Sequence, residues 1–263
     1  MTKQFTKLTD YQWAAISSFL PLKRKRKLDL CDVMNAILWL LRTGCQWRNL
    51  PGEYPHWQAV YYYFDRWKTD GTLEQINRAL NQLDRKQEER EALPSAFCVD
   101  SQSVKLAPII CEYRGLDPHK RVNGRKRQLL VDTGGRLWAA HVHAANGADG
   151  PAALLLVSDI LWYGDRVETV FGDGAYGGVF AKALASWGIG FERASRPESA
   201  QGFVPVAKRW VVEPVRRRGS IAWTNFFRRI VKDYEYTLSS SVGWLLLANI
   251  QIMLQRIKST PQI

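Results

Sequence analysis

Hydrophobic positions change period along the chain, and the change divides it. Trp13, Ile16, Phe19 and Leu20 recur at helical spacing behind Thr9-Asp10, a helix-start pair, and stop at Pro21. Val33, Ile37, Leu40 and Leu41 mark the buried side of a second helix, from about Asp29 to Arg42. Gly44 supplies a turn, Gln46 to Pro51 a compact linker, and Val60, Tyr61, Phe64 and Trp67 a third helix from about His56 to Lys68. Helix, glycine turn, helix is the outline of a helix-turn-helix, with Gln58, Tyr61, Tyr62, Arg66 and Lys68 as candidate DNA contacts. Any small helical bundle shows the same outline, and its aromatic residues then belong to the core. Asp70-Gly71 ends this element, and Leu73 to Glu91 reads as a charged connector helix.

After Leu93-Pro94 the apolar runs shorten to strand length. Ala96 to Val99 reads as a buried strand ending at Asp100, followed by strands at Gln128 to Asp132 and, past the Gly134-Gly135 turn, Leu137 to Ala145. These three form an antiparallel meander. Ala152 to Leu161 is an apolar helix, Val167 to Gly172 a buried strand ending at Asp173, Val179 to Trp187 a helix, and Phe191 to Ala194 a last strand. Val242 to Ile257 is a strongly apolar helix that must pack on the sheet. Strands mixed with helices predict an α/β domain with a mixed sheet. The expected division is residues 1–92, helical with a connector, and 93–263, the α/β part.

Charge and cysteine content narrow the function. Lys and Arg total 37 against 25 Asp and Glu, a net +12 that favours a polyanionic partner, nucleic acid foremost. The four cysteines (Cys31, Cys45, Cys98 and Cys111) form no CxxC pair or metal-ligand spacing and read as reduced thiols, mostly in the core. The N-terminal residues carry no apolar signal region, and Trp244 to Leu254 is too short to span a bilayer, so a cytoplasmic, nucleoid-associated protein is expected.

Two strand-end aspartates, Asp100 and Asp173, carry the chemistry. A strand end is a rigid mount, and two carboxylates so placed, joined by a third, are what a two-metal phosphoryl-transfer site needs. Alone, either is a turn cap. Glycines on both sides of Asp173 permit close approach of backbone and substrate. Glu213 lies one helical turn after Arg209, within a stretch dense in arginines and aromatics from Lys208 to Glu235. His141 and His143 share a strand face as a lesser metal candidate, with no third ligand evident nearby. Asp233 and Glu235 read as surface partners of Arg228, Arg229 and Lys232.

The segments Val99 to Lys105, Gly124 to Arg127, Val131 to Thr133, Gly172 to Tyr176 and Arg209 to Glu213 follow one another in the order of a known motif set. Leu41 to Arg48 with Leu50-Pro51 precedes them, and Phe227 to Glu235 follows. Together they resemble the DDE transposases of bacterial insertion sequences, most closely the insertion-sequence-five (IS-five) family. The resemblance implies a ribonuclease-H-like catalytic domain behind a helix-turn-helix-like region, with Asp100, Asp173 and Glu213 as the acid triad holding magnesium, two ions with manganese able to substitute. It also implies that Arg209 assists at the active site or on the DNA strand. The implied partners are the double-stranded DNA of the terminal inverted repeats and of the target, bound by a homodimer. Candidate DNA contacts are Lys23, Arg24, Lys25, Arg26, Lys27, Arg48, Gln58, Arg66, Lys105, Arg125, Lys126, Arg127, Arg216, Arg217, Arg218, Arg228, Arg229 and Lys232. The chain departs from the family pattern at Gln128, commonly histidine, and at Pro214 to Gly219, where one residue is expected. The insertion keeps a second reading open: a DNA-binding derivative whose catalytic site is impaired.

Overall fold

The computed structural model describes residues 5–21, 27–163, 166–193 and 226–257. Four helices lead the chain: α1 (Asp10–Ser17), α2 (Leu30–Thr43), α3 (Trp57–Thr69) and α4 (Thr72–Gln87). The polar residues that precede the first two start them. Thr9 closes a capping box with Gln12, and the Asp29 side chain accepts from the Cys31 N–H. Gly44, at φ +70°, ends α2 in the left-handed conformation.

The sheet comprises β1 (Ala96–Lys105), β2 (Gly115–Asp117), β3 (Val122–Asp132), β4 (Leu137–Ala144), β5 (Thr169–Gly172) and β6 (Gly190–Arg193). Its order is β2-β3-β1-β5-β6, with β4 also pairing β3. β1 runs antiparallel to β3 and parallel to β5, so the sheet is mixed, as its sequence pattern predicts. The meander is present, but β1 and β3 are much longer than their apolar runs: Asp100 lies inside β1, five residues before its end. Polar residues extend these strands because β3 supplies antiparallel partners from Phe97 to Lys105.

Helices cover both faces. α5 (Asp149–Ala152), α6 (Leu155–Trp162) and α7 (Val179–Ala185) occur where one longer helix and a second were expected. Phe97, Val99, Leu130 and Val170 pack on this side with Leu156, Ile160, Phe180 and Leu184. On the other face, Cys98, Leu129, Val131 and Phe171 join one continuous core with Ile16, Ile37, Phe64, Leu80 and the final helix. Short α8 (Arg228–Val231) precedes that helix, α9 (Leu238–Arg256). α9 is long and apolar enough to cross a membrane, longer than the Trp244–Leu254 run suggests, yet 78% of its apolar window is buried inside the protein. Of the cysteines only Cys98 is buried; Cys31 and Cys45 are half-buried and Cys111 is exposed, and all four are free thiols.

α4 is more than a connector. Asn77 and Asn81 on its buried face donate to the Leu137 carbonyl at 2.8 and 2.7 Å. Asn249 of α9 donates to both of their side-chain oxygens and accepts from the Leu137 N–H at 3.0 Å. Three asparagines thus saturate one end of β4 where α4, β4 and α9 meet, satisfying polar groups that burial would otherwise leave unpaired. One turn along α4, Arg85 reaches Asp132 at 2.6 Å and Arg136 reaches Asp84 at 2.6 Å and Glu88 at 2.7 Å. Burial pushes the Asp132 carboxyl up, yet the Arg136 and Arg85 charges and the Arg136 N–H together hold it below its ordinary value.

The asparagine cluster makes a direct prediction. Asn249→Ala strips partners from three buried groups and is expected to lower stability by about 3 kcal/mol. Urea denaturation checks this; a loss under about 1 kcal/mol would show that the cluster is not a structural joint.

Candidate active site

Two partners of different direction meet on β1. Ala96 to Cys98 pair with Thr169 to Phe171 of β5, and there the parallel pairing stops. Extending the register by two positions sets Asp100 opposite Asp173, the residue directly after β5, across a strand spacing of about 4.8 Å. Gly172 permits this approach: a Cβ there would lie 2.9 Å from Val99 Cγ1. Further along, β1 is met again only by the bridge from Leu106 to Asp233. Among the described residues, the edge of β1 between these two points carries no strand, and Asp100 stands in that opening.

Both carboxylates are held by backbone donors. Asp100 Oδ1 accepts from the Ser101 N–H at 2.8 Å, and Asp173 Oδ1 accepts from the Ala175 N–H at 2.8 Å, capping a 3-10 turn over Gly174–Tyr176. Burial drives the Asp100 carboxyl up to about 6, and the nearby charges of Asp173 and Asp149 push the same way, against the Ser101 N–H and Lys120. Two neighbouring carboxylates at a half-buried site suit a hard cation with oxygen ligands. Asp100 and Asp173 therefore fit a divalent metal as two carboxylate donors. Among the described residues no group of three His, Cys, Asp or Glu side chains forms a metal cage.

Behind the pair runs a buried polar chain that the sequence reading missed. Tyr176 Oη donates to Gln128 Oε1 at 2.9 Å, Gln128 Nε2 approaches Asp149 Oδ1 at 3.3 Å, and Lys126 Nζ pairs with that same oxygen at 3.1 Å. Gln128 also meets His143 at 3.2 Å, whereas His141 pairs with Asp159 at 2.6 Å. The two histidines thus turn to separate partners. Arg193, at the end of β6, lies against Gly174, where an added Cβ would be 2.8 Å from Nη2. Asp149, Lys120 and Arg193 carry no periodic or motif signal. Only the fold collects them near Asp100 and Asp173.

Several residues expected on DNA are internal. Arg125 is fully buried, 3.3 Å from Asp233 and bonded to the Glu235, Glu112 and Tyr236 carbonyls. Lys126 is buried between Asp117 and Asp149. Arg127 donates to Gln102 Oε1 and the Ile230 carbonyl; burial pushes its pKa down to about 10, leaving it a cation at neutral pH. Arg229 pairs with Glu235 at 2.6 Å beneath the rings of Trp47 and Trp244. These three arginines and one lysine have an architectural role in place of the expected phosphate contact, and Asp233 is a buried partner and Glu235 a partly buried one rather than surface ones. A side chain this deeply buried and turned to internal acceptors is not placed to reach a phosphate. Burial raises the Glu235 carboxyl, and Arg229 only partly offsets it.

Lys27, Arg48, Gln58, Lys105 and Arg228 are exposed, and Arg66 and Lys232 are partly so. Arg228 sits beside the α2–α3 turn, since a Cβ on Gly44 would meet its Cβ at 3.0 Å. Lys68, by contrast, is held by Asp65 at 2.9 Å. Glu213, Arg209, Arg216, Arg217, Arg218, Lys23, Arg24, Lys25, Arg26 and the insertion from Pro214 to Gly219 lie outside the described residues.

Comparison with known proteins adds the family. Residues 8–77 match a family model described as "Putative transposase of IS4/5 family", and residues 91–248 match one described as "Transposase DDE domain". A relative from Sinorhizobium fredii, "Uncharacterized protein y4sN", is 33% identical over 73 residues, which are 26% of this chain and 58% of that protein. The chain thus spans little more than half of that relative. The mixed sheet with helices on both faces is ribonuclease-H-like. With its DDE-domain match running over more than half its length, the chain belongs to the DDE transposases of the IS4/5 type.

Proposed function

We propose that the protein is a transposase that cuts DNA at the ends of an insertion sequence and joins the freed end to target DNA by in-line phosphoryl transfer. The observation that carries the reading is the β1–β5 register, which sets Asp100 opposite Asp173 in the opening of the sheet edge. Family membership supports a DNA substrate and a divalent cation. Asp100 and Asp173 would hold magnesium or manganese, with Glu213 as third ligand and Arg209 beside it by resemblance. When bound, such ions lower the pKa of the attacking water or hydroxyl and stabilise the departing oxygen.

The chain's own residues do the positioning. The Ser101 and Ala175 N–H groups fix one oxygen of each aspartate, so the carboxylates need little rearrangement to take up a cation. Hydrolysis at the element's end exposes a 3′-hydroxyl, which then attacks target DNA. The exposed cations at Arg48, Lys105 and Arg228 are placed to grip the duplex through its phosphates, and two copies of the chain would hold the two ends together. Residues 1–92 and 93–263 remain the proposed DNA-binding and catalytic divisions, and a cytoplasmic site of action follows from a DNA substrate.

Purified protein with magnesium or manganese is expected to nick DNA carrying the element's own ends. Asp100→Asn and Asp173→Asn should each lower cleavage by about 1,000-fold or more while retaining DNA binding. Cleavage surviving both single changes would overturn the reading. Glu213→Gln separates the two readings of the insertion: wild-type cleavage lost in this variant shows a working third carboxylate, whereas a wild-type protein that binds but never cuts matches the impaired derivative.

Asp100 gives a pH signature. Its pKa is raised in the fold from 3.8 to about 6, so its contribution to stability is whole below 3.8 and is lost as pH rises through about 6. In EDTA, Asp100→Asn should therefore be more stable than wild type above pH 6, by at most about 3 kcal/mol, with the gap closing below pH 4. Thermal melts across pH check it; a gap that grows on acidification would contradict the assignment.

Lys105→Ala and Arg228→Ala should each reduce the slope of log binding constant against log salt by about 1 with little change in melting temperature. Arg127→Ala should instead lower the melting temperature, since it removes a buried cation with internal partners.

A further inference from the structure

We propose that Lys120 is a catalytic residue of the Asp100–Asp173 site, its ammonium group binding a non-bridging oxygen of the DNA phosphate under attack. The inference rests on the phosphoryl-transfer reading above and assigns a group that neither the motif pattern nor the acid triad contains.

The turn between β2 and β3 is built to hold this lysine in place. Asp117 at its base is 2% exposed, and its carboxylate accepts from Ser103 Oγ and from the His119 and Lys120 N–H groups, the last two at 3.0 Å. These bonds outweigh burial and hold the Asp117 carboxyl down near 2, so the anchor stays ionised. Directly after Lys120, Arg121 adopts φ +52°, a left-handed conformation disfavoured for a side chain with a Cβ. A strained residue beside a buried anchor marks a turn whose shape is fixed by its surroundings. The result is that Lys120 reaches back across β1, placing Nζ 3.1 Å from the Ser101 carbonyl, one residue from Asp100.

Its charge is not neutralised there. Among the described residues Lys120 makes no ion pair, and a neutral carbonyl leaves the positive charge available. The contrast with Lys126 is sharp: that lysine is buried against Asp117 and Asp149. Lys120 is exposed, so DNA can reach it. Its charge is also one of the influences opposing the rise of the Asp100 carboxyl, which places the two groups in one electrostatic neighbourhood. Phosphoryl transfer spreads negative charge over the non-bridging oxygens, and a fixed cation at that point stabilises the transition state.

Three variants test the proposal against two structural alternatives. Lys120→Gln keeps an N–H donor for the Ser101 carbonyl without the charge, Lys120→Arg keeps the charge, and Lys120→Ala keeps neither. Cleavage should fall by about 100-fold in the Gln and Ala variants and be largely retained in Arg, at unchanged melting temperature for Gln. Binding of a duplex copied from the element's end, measured in calcium, should show a salt slope smaller by about 1 in the Gln variant. Full cleavage by Lys120→Gln would overturn the proposal, leaving Lys120 as a tie to Ser101. Loss that disappears at pH 9 would also overturn it, since the lysine would then act only by keeping Asp100 ionised. If wild type binds DNA without cutting, the transposase reading fails while the salt slope still decides whether Lys120 grips a phosphate. Absence of DNA binding by wild type would overturn both.

Discussion

Everything around the site depends on how β1 satisfies its two edges. On one side it is paired with β3 from Phe97 to Lys105; on the other, among the described residues, it is held by β5 for three residues and then, beyond a gap, by the Leu106–Asp233 bridge. Backbone groups in a sheet need partners, and a strand left open on one edge mid-sheet is a place where other groups can enter. Asp100, Ser101 and the Lys120 amine occupy that opening, and Asp173 leaves β5 beside it. The change of strand direction at β1 is the kind of crevice in which α/β sheets bind ligands.

The bond network that keeps the opening in shape is built on arginines, which accounts for part of the chain's basic content. Arg125, Arg127 and Arg229 tie β3 and the α2–α3 turn to the short segment from Ile230 to Ser241, through Asp233, Glu235 and main-chain carbonyls. Guanidinium groups suit this task because one planar head can satisfy several acceptors in fixed directions. Removing one partner from such a network is expensive, since a buried charge is left behind. The total of 37 Lys and Arg therefore overstates the cations free to meet DNA.

The helical N-terminal region and the sheet share one apolar core, and α4 and α9 are stitched together through the end of β4. Gly44 at the α2–α3 turn lies against Arg228 of α8, so the exposed cations Arg48 and Arg228 ride on elements packed against each other. A duplex gripped by these residues would be fixed relative to Asp100 and Asp173 with little hinge motion between them. Positional precision of this kind is what phosphoryl transfer chiefly asks of a protein.

The sequence by itself determined the helices and the mixed sheet, because apolar periodicity, Asp29 and Thr9 caps and glycine turns are local signals. It also singled out Asp100 and Asp173, through apolar strands and flanking glycines. It did not determine where β1 and β3 end, since their outer halves are polar and exist as strands only because each has the other to pair with. Nor did it distinguish Arg127 from Lys105: both stand in basic, motif-rich stretches, and which one is buried depends on what packs over each face. Asp149, Lys120 and Arg193 come from a helix start, a turn and a strand end, and chain distance conceals their proximity. Tertiary structure decided these points because burial and charge pairing are properties of residues brought together across the sheet, whereas periodicity records only which face of its own element a residue takes.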